Sequence, residues 1–279
     1  MLTALTVKKH ERRKGIKGLA DRLKRDRAVV QVRRARGVYL KHITYISYGR
    51  KPRFDKLEKI IGDSRNRVIC SPKLEFPDNC SFRRFENSDF TARLCTNLAI
   101  CLLSMCDFSE KLKIGIYDPD GRDSDFLPYV MNFSSDVTVV TDCPDVYYDE
   151  NERIMKNMGA CSVVTKRREE LERCQLIIAP RIIENSFSSN ENTLILTNGR
   201  PMAELTGEVY YKYYFKMPNG FDRIKPQELE TEYFCSALYS LGRQYSLGSI
   251  VPTMCSNFST TQTVQSLYAG FEKLYNKAD

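Results

Sequence analysis

Residues 112–197 contain five short apolar segments, which are KIGIY (113–117), VTVVT (137–141), CSVVT (161–165), LIIA (176–179) and TLILT (193–197). Polar segments with helical spacing separate them, and the one at 148–158 ends at Gly159, a residue type that commonly terminates a helix. Apolar strands that alternate with amphipathic helices are typical of a parallel sheet covered on both faces. We therefore predict an α/β fold with a doubly wound, mainly parallel sheet.

The segments that flank this core are predicted to be helices and one further strand or hairpin. A long helix is expected at 89–105, because its second half is apolar on nearly all sides. Residues 208–217 (EVYYKYYFKM) alternate cleanly and predict a hairpin or an edge strand. Helices are expected at 227–241 and at the C-terminus, where Ser259 and Gln262 match a capping box.

Charge is distributed unevenly along the chain. Residues 1–53 contain 17 Lys and Arg but three acidic residues, whereas the other 226 residues contain 26 basic and 32 acidic ones. The net charge of +8 therefore belongs to a cationic N-terminal part joined to a mildly acidic remainder. We accordingly divide the chain into a basic N-terminal extension (1–64) and an α/β domain (65–279) with C-terminal helices, which form a cap beside the hairpin.

Aromatic residues are interleaved with the cations of the basic extension. Cations that hold phosphates, next to aromatic rings that stack on bases, are typical of nucleic-acid binding. The residues that we assign to this contact are Arg33, Arg34, Arg36, Lys41, Tyr48, Arg50, Lys51 and Arg53. The same pattern fits a basic face that packs on the rest of the chain or docks on a protein. We therefore expect residues 1–53 to contact a nucleic acid, another polyanion or a protein partner.

Residues 159–180 (GACSVVTKRREELERCQLIIAP) resemble the second half of a Rossmann-like NAD(P)-binding domain, as in relatives of shikimate dehydrogenase. The resemblance extends over 112–197. It implies that NAD(P) or another nucleotide lies across the carboxyl ends of the first and fourth strands. It also implies that Asp142, which follows the second strand, contacts ribose hydroxyl groups.

The loop after the first strand departs from the glycine-rich pattern of that family. A G-x-G-x-x-G loop lets backbone N–H groups approach a pyrophosphate, but the loop here is DPDGRDSD (118–125). Its four carboxylates repel a pyrophosphate, and Arg122 is the local compensating charge. The candidate cofactor-binding residues are Asp118, Asp120, Gly121, Arg122 and Asp142. Alternatively, the loop serves as a turn and as the cap of the next helix.

The same residues also resemble the first motif of haloacid dehalogenase-like phosphatases. An apolar strand runs into Asp118-x-Asp120-Gly121, and TLILTNG (193–199) is similar to their second motif. The resemblance implies that Asp118 attacks phosphorus, that Asp120 acts as acid and base, and that both hold magnesium. Arg122 stands where that family has Thr, and no strand that ends in paired acids follows to complete the magnesium site.

The cysteines and the termini bear on metal binding and on location. Ten cysteines occur without a C-x-x-C pair, and His10 and His42 are the only histidines. We therefore predict no metal site, and reduced thiols that are mostly buried. The longest apolar run in a helical setting, 98–105, is shorter than the ~20 residues needed to cross a bilayer. The N-terminus lacks an apolar signal core, so we expect a cytoplasmic protein.

Residues 65–279 contain no histidine, which removes the most common general base from any site there. We therefore expect an intracellular binding or regulatory protein with a Rossmann-like body and without ordinary dehydrogenase activity. Its basic N-terminus would contact a polyanion or a partner. The alternative is an atypical nucleotide-dependent or phosphoryl-transfer enzyme that uses Asp118 and Asp120. The sequence assigns no catalytic residue and leaves open whether the protein is an enzyme and which ligand it binds.

Overall fold

The computed structural model describes residues 1–10, 24–49, 52–64, 67–86, 89–242 and 250–278. Contacts within the chain divide it into two compact units. The first unit comprises Met1–Phe90 and Met217–Gln244, and the second comprises Thr91–Lys216 and Tyr245–Asp279. The first unit is therefore built from two separate segments of the sequence.

The α-helices of the described residues are α1 (Phe54–Ile61), α2 (Asp89–Met105), α3 (Leu127–Met131), α4 (Pro144–Met158), α5 (Thr231–Gly242) and α6 (Val264–Ala278). Short 3-10 helices occur at Gly62–Ser64, Ser109–Lys111, Ser124–Phe126 and Arg168–Arg173. The helix predicted at 89–105 is confirmed by α2. Within the described part of the chain, none of the helices combines the length and the apolar character needed to span a membrane.

Four strands form the sheet of the first unit, and these are β1 (Leu2–Lys9), β2 (Arg27–Ala35), β3 (Val38–Ser47) and β4 (Val68–Cys70). Their order is β2-β3-β1-β4, in which β1 is parallel to both neighbours and β2 is antiparallel to β3. Leu2, Ala4 and Leu5 of β1 are buried. The sequence pattern does not predict β1, because a strand buried on both faces shows no alternation. β4 belongs to this sheet although it lies beyond the predicted division at residue 64.

Helices cover this sheet. Leu57 and Ile61 of α1 pack with Leu5, Ile43 and Tyr45 of the strands, and all five side chains are buried. α5 contacts β1 and comes from the second segment of the unit. The two segments of the first unit are therefore joined through α5.

Six strands form the main sheet of the second unit, and these are β5 (Ile114–Tyr117), β6 (Val137–Val140), β7 (Val163–Thr165), β8 (Leu176–Ala179), β9 (Leu194–Thr197) and β10 (Glu208–Tyr210). Their order is β10-β9-β8-β5-β6-β7, and all neighbouring pairs are parallel. Counted from β5, this is the strand order 6-5-4-1-2-3 of a doubly wound Rossmann sheet. Helices flank the sheet, so the predicted doubly wound α/β fold is confirmed.

Gly115 in β5 lets a covering segment lie close to the sheet. A Cβ atom at this position would lie 2.6 Å from Leu171 Cδ2 and 3.1 Å from Cys174 Sγ. Leu171 belongs to the 3-10 helix Arg168–Arg173, which lies between β7 and β8 in the sequence. The missing side chain of Gly115 therefore makes room for this connection against β5.

The second unit also contains a small antiparallel sheet. Its strands are β11 (Lys212–Tyr214), β12 (Met254–Ser256) and β13 (Thr261–Thr263). Residues 208–217 therefore do not form one alternating strand, because β10 lies at the edge of the parallel sheet and β11 joins the antiparallel one. Tyr210 and Tyr213 are both buried, although the alternation predicted opposite faces for them. The N–H of Tyr211 donates to the carbonyl of Ser256 (3.2 Å), so the chain changes sheets at this residue.

Candidate functional site

Three charged residues follow neighbouring strands at the carboxyl edge of the six-stranded sheet. Asp118 directly follows β5, whereas Asp142 and Arg181 lie two residues after β6 and β8. β5 lies between β6 and β8, where the order of the strands reverses. In open α/β sheets, ligands bind in the crevice that forms at this point. The candidate site is therefore this edge of the sheet.

Asp118 organises the loop that follows β5. Its side chain is fully buried, and Oδ2 accepts hydrogen bonds from the N–H of Asp123 (2.9 Å) and from the hydroxyl of Tyr147 (2.8 Å). Burial and the charge of Asp118 raise the pKa of Tyr147, so the phenol stays protonated as a donor. The carboxylate thus accepts a hydrogen bond from a loop N–H group. In a glycine-rich loop, N–H groups of this kind are free to bind a pyrophosphate.

Two ion pairs lie beside this loop. Arg181 Nε lies 2.9 Å from Asp123 Oδ2, and both side chains are largely buried. Arg93 Nη2 of α2 lies 2.6 Å from Asp125 Oδ2. Burial raises the pKa of Asp123 to about 6; the charge of Arg181 opposes this increase and that of Asp118 adds to it. Cations from α2 and from the segment after β8 therefore balance two of the carboxylates of the loop.

The exposed side of the edge carries three more of the predicted residues. Asp120, Arg122 and Asp142 are exposed, and Arg122 Nε lies 3.7 Å from Asp120 Oδ2. The N–H of Asp142 donates to the carbonyl of Pro119 (3.1 Å), which joins the loops after β5 and β6. These residues therefore share one edge with Asp118, but Asp118 itself is withdrawn from solvent.

Gly121 completes the predicted set. It has a positive φ of 65°, a conformation that favours glycine. A Cβ atom there would lie 3.0 Å from Cys143 Cβ, and Cys143 directly precedes α4. Gly121 therefore allows the loop to turn against the start of α4.

Tyr117, the last residue of β5, lies in the same charged region. Its ring centroid lies 5.4 Å from that of Phe187 and 6.0 Å from the guanidinium carbon of Arg168. Burial raises the pKa of Tyr117, whereas Arg168 lowers it and Asp142 raises it. The opposite charges of Asp142 and Arg168 thus both act on this phenol.

Sequence reasoning missed Tyr147, Arg93 and Arg181. Tyr147 lies in a polar helix, and its contact with Asp118 joins residues 29 positions apart in the chain. Arg93 and Arg181 come from α2 and from the segment after β8. The position of Arg181 just beyond an apolar strand was the one available signal, because the carboxyl ends of parallel strands share an edge.

The predicted nucleic-acid residues that the structure describes lie in the first unit, and four of them belong to the β2–β3 hairpin: Arg33, Arg34, Arg36 and Lys41. β2 is an edge strand in which all residues are exposed or half-exposed. Arg34 lies over the ring of Tyr39, with 5.1 Å from its guanidinium carbon to the ring centroid. Arg33 points to the other face of the strand, and its Nη2 donates to Gln31 Oε1 (3.1 Å). Arg36 is exposed in the turn, so arginines line both faces of the hairpin.

Lys41 has a different role in this structure. Its Nζ donates a hydrogen bond to the carbonyl of Ile60 (2.5 Å), near the C-terminal end of α1. A cation there satisfies a helix carbonyl and interacts favourably with the helix dipole. Lys41 therefore stabilises α1 rather than extending the exposed basic surface.

The remaining predicted residues are spread beyond the hairpin. Tyr48 is half-exposed and its N–H donates to Asp26 Oδ1 (2.9 Å). Arg53 is exposed and directly precedes α1. Arg50 and Lys51 lie outside the described residues. The structure therefore groups Arg33, Arg34 and Arg36, and does not bring the whole predicted set onto one face.

The cysteines are free thiols, and most of them are buried. Cys143 and Cys161 are the exposed ones. Across the residues that can be described, no three His, Cys, Asp or Glu side chains form a group that could hold a metal ion.

Comparisons with known proteins assign neither a family nor a function to this chain. No protein-family model matches this chain, and no curated protein matches it in sequence. Among solved structures, the L-tryptophan dehydrogenase from Nostoc punctiforme is similar with a TM-score of 0.34 and 10% sequence identity, over 98% of this chain and 80% of that chain. A likeness this distant carries no functional argument, so the fold assignment rests on the strand order and pairing.

Proposed function

We propose that the protein is a binding protein whose second unit holds a nucleotide-class ligand at the carboxyl edge of its parallel sheet. The observation that carries this proposal is the position of Asp142, which is exposed after the second strand of a 6-5-4-1-2-3 sheet. An acidic side chain at this position can accept hydrogen bonds from ribose hydroxyl groups. Arg168 offers a cation for a phosphate near the same edge.

The loop after β5 favours a ligand that does not place a pyrophosphate on it. The Asp118 carboxylate already accepts the N–H of Asp123, and the exposed Asp120 repels an approaching phosphate. A nucleoside or a sulfonium nucleoside such as S-adenosylmethionine avoids this repulsion, and so does a mononucleotide whose phosphate lies toward Arg168 and away from Asp120. We therefore favour ligand sensing over hydride transfer from NAD(P)H.

Calorimetric titration of the full chain with adenosine, AMP, S-adenosylmethionine, NAD⁺ and NADP⁺ tests this proposal. We expect saturable binding of a ligand without a pyrophosphate, and weaker or no binding of NAD⁺ and NADP⁺. Asp142→Asn should weaken binding by roughly 10- to 100-fold, because it removes a charged acceptor worth roughly 1.5–3 kcal/mol. Asp149→Asn, at an exposed acid on α4, should leave the affinity unchanged. Equal affinity in Asp142→Asn, or no binding of any of these ligands, would contradict the proposal.

The phosphoryl-transfer alternative has less support. A nucleophilic carboxylate must reach phosphorus in line with the leaving group, but Asp118 is fully buried and held by two donors. Magnesium-dependent hydrolysis of p-nitrophenyl phosphate that is lost in Asp120→Asn would restore this alternative.

A second candidate function, polyanion binding, is favoured by the exposure of the β2–β3 hairpin. The hairpin exposes three arginines, which are Arg27, Arg34 and Arg36. The guanidinium group of Arg34 lies over the exposed ring of Tyr39. An edge strand with cations on both faces can follow a phosphate backbone along its length. Aromatic rings beside the cations can stack on unpaired bases.

Fluorescence anisotropy with a 20-nucleotide single-stranded RNA tests this second function. For the triple variant Arg27→Gln, Arg34→Gln, Arg36→Gln we expect weaker binding and a shallower salt dependence, since the slope scales with the number of phosphates neutralised. Lys41→Met should leave the slope unchanged, because Lys41 caps α1. Arg153→Gln with Lys156→Gln removes exposed, ion-paired cations of α4 and is the charge control. An unchanged slope in the triple variant would exclude the hairpin as the contact.

A further inference from the structure

The first unit contains a pocket of about 650 Å³ that none of the functions proposed above uses. Leu5 and Val7 of β1 form one wall, Phe54 at the start of α1 forms another, and Leu74 and Phe76 close it from the segment after β4. Leu5 and Val7 are two residues apart, so they face the same side of the strand. The volume is in the range of small-molecule sites, which are mostly lined by apolar and aromatic side chains.

The aromatic walls of this pocket are held in place. The ring centroids of Phe54 and Phe76 lie 6.0 Å apart, and the buried Phe82 lies 5.9 Å from Phe54 and 5.3 Å from Phe76. Phe54 and Phe76 are themselves half-exposed. Two rings that are fixed by a buried third ring therefore present apolar surface to the pocket, and a ligand would not have to order them first.

Arg84 holds residues 72–76, the segment that closes the pocket, through hydrogen bonds and a contact with a ring. Its Nη2 donates to the carbonyls of Pro72 (2.9 Å) and Leu74 (2.7 Å). Its guanidinium carbon lies 5.8 Å from the ring centroid of Phe76. Since Arg84 holds both the backbone and a ring of this wall, the pocket is a built feature of the fold and not a gap between loose side chains.

The polar part of the lining is basic on balance. Lys9 and Lys73 are exposed, and neither has an ion-pair partner among the residues that the structure describes. Glu75 is the acidic residue of the lining. A fully polar anion would leave the apolar walls in water, and an organic cation would meet two lysines against the single carboxylate of Glu75.

We propose that this pocket binds an amphipathic anion, whose apolar body packs on Phe54 and Phe76 and whose acidic head group lies toward Lys9 and Lys73. Apolar burial supplies the affinity, and the two ammonium groups select the charge of the head group. The ligand class is therefore an aromatic or alkyl carboxylate or sulfonate. Its site lies in the first unit and is separate from the nucleotide edge proposed for the second.

Two fluorescent probes that differ by one group test the proposal on the full chain. 1-Anilinonaphthalene-8-sulfonate carries an anionic head group, and N-phenyl-1-naphthylamine is the same aromatic body without it. We expect the sulfonate to bind with one-to-one stoichiometry, more tightly than the neutral probe, and decanoate to displace it. The double variant Lys9→Gln, Lys73→Gln should weaken binding of the sulfonate at least fivefold and leave that of the neutral probe unchanged.

Two further variants complete the experiment. Lys59→Gln with Lys111→Gln removes two other exposed cations and should not change the binding of either probe. Val7→Phe should reduce the binding of both probes because it fills the pocket, and circular dichroism verifies that this variant is folded. Sulfonate binding that is not saturable, that decanoate does not displace, or that is unchanged in Lys9→Gln, Lys73→Gln would overturn the proposal.

Discussion

The Asp118 carboxylate holds the loop after β5 much as a bound phosphate would hold a glycine-rich loop, by accepting a backbone N–H group. Unlike a bound ligand, this side chain is part of the chain itself. A second hydrogen bond, from the hydroxyl of Tyr147, ties this loop to α4. A residue that the sequence marks as a ligand or a nucleophile is thereby used to build the site.

Tyr147→Phe should lower the free energy of unfolding by roughly 1–2 kcal/mol, because Asp118 then loses one of two donors at a buried oxygen. Urea denaturation monitored by circular dichroism measures this change. Tyr148→Phe is the matched control, since the side chain of Tyr148 is 54% exposed. Equal stability of the two variants would show that the hydrogen bond to Asp118 contributes nothing.

Asp123 should make stability depend on pH. Burial raises its pKa from 3.8 to about 6, so between these values the folded state binds more protons than the unfolded state. Stability from this group is therefore present at low pH and is lost as pH rises through about 6. The free energy of unfolding of the wild type minus that of Asp123→Asn should fall from pH 4 to pH 7, by on the order of 2–3 kcal/mol. A difference that stays constant or increases would refute the raised pKa.

Gly115→Ala should destabilise the second unit by roughly 1–3 kcal/mol, because the new methyl group would lie 2.6 Å from Leu171 in a buried contact. Gly270→Ala is the opposite case. No atom lies within 4 Å of a Cβ at Gly270 in α6, so alanine should stabilise that helix by about 0.5–1 kcal/mol. Thermal unfolding of both variants checks the two signs, and a Gly115→Ala protein as stable as the wild type would contradict the close approach.

At the scale of secondary-structure elements, the residue at which one element ends and the next begins determines which sheet a strand joins and which residue caps a helix. β10 and β11 are separated by Tyr211 alone, yet they belong to different sheets. β13 runs directly into α6, so Gln262 lies in a strand and cannot serve as the third residue of a helix. The capping box predicted at Ser259 and Gln262 is therefore wrong. Thr263 caps α6 instead, and its Oγ1 accepts the N–H of Ser266 (3.2 Å).

Thr263→Ala should cost about 1 kcal/mol of stability, since it removes the side-chain acceptor at the start of α6. Ser259→Ala should change stability by less than about 0.5 kcal/mol, because this exposed hydroxyl bonds to the side chain of Asn257 and not to the helix. Chemical denaturation of the two variants compares them directly. A larger effect at Ser259 than at Thr263 would reinstate the predicted box.

At the scale of the whole molecule, the chain forms two compact units. The first unit consists of an N-terminal segment and of the distant residues 217–244. This segment supplies α5, which contacts β1. The described part of the basic N-terminal extension therefore contributes β1, β2 and β3 to a sheet with its own buried core. The predicted division at residue 64 cuts through this sheet, because β4 follows it.

The two units should open in separate cooperative events. Leu238→Ala in α5 creates a cavity at a fully buried position and should cost roughly 2–5 kcal/mol. Amide hydrogen exchange should then accelerate in β1 but not in β5. Leu267→Ala in α6, also buried, should give the reverse pattern. Acceleration of both strands in either variant would show that the units unfold together.

The candidate site shows how far sequence reasoning reaches. The placement of Asp118 and Asp142 after neighbouring strands was predictable, because apolar segments that alternate with helices form parallel strands whose carboxyl ends share an edge. The burial of Asp118 was not, because it depends on Tyr147, 29 residues away in a helix with a polar composition. Lys41 is similar, since its contact with Ile60 depends on where α1 ends.

The apolar segments between Ile114 and Thr197 determine by themselves that a parallel sheet forms, since such strands are stable only when both faces are buried. The charge imbalance likewise places the cations at the N-terminus whatever the fold. Only the tertiary structure decides that β1 lies inside the four-stranded sheet of the first unit, that Asp118 is buried and that an apolar pocket forms beside Phe54. These outcomes depend on which distant segments of the chain pack together. The local periodicity of the sequence predicts helices and strands but not the segments that they contact.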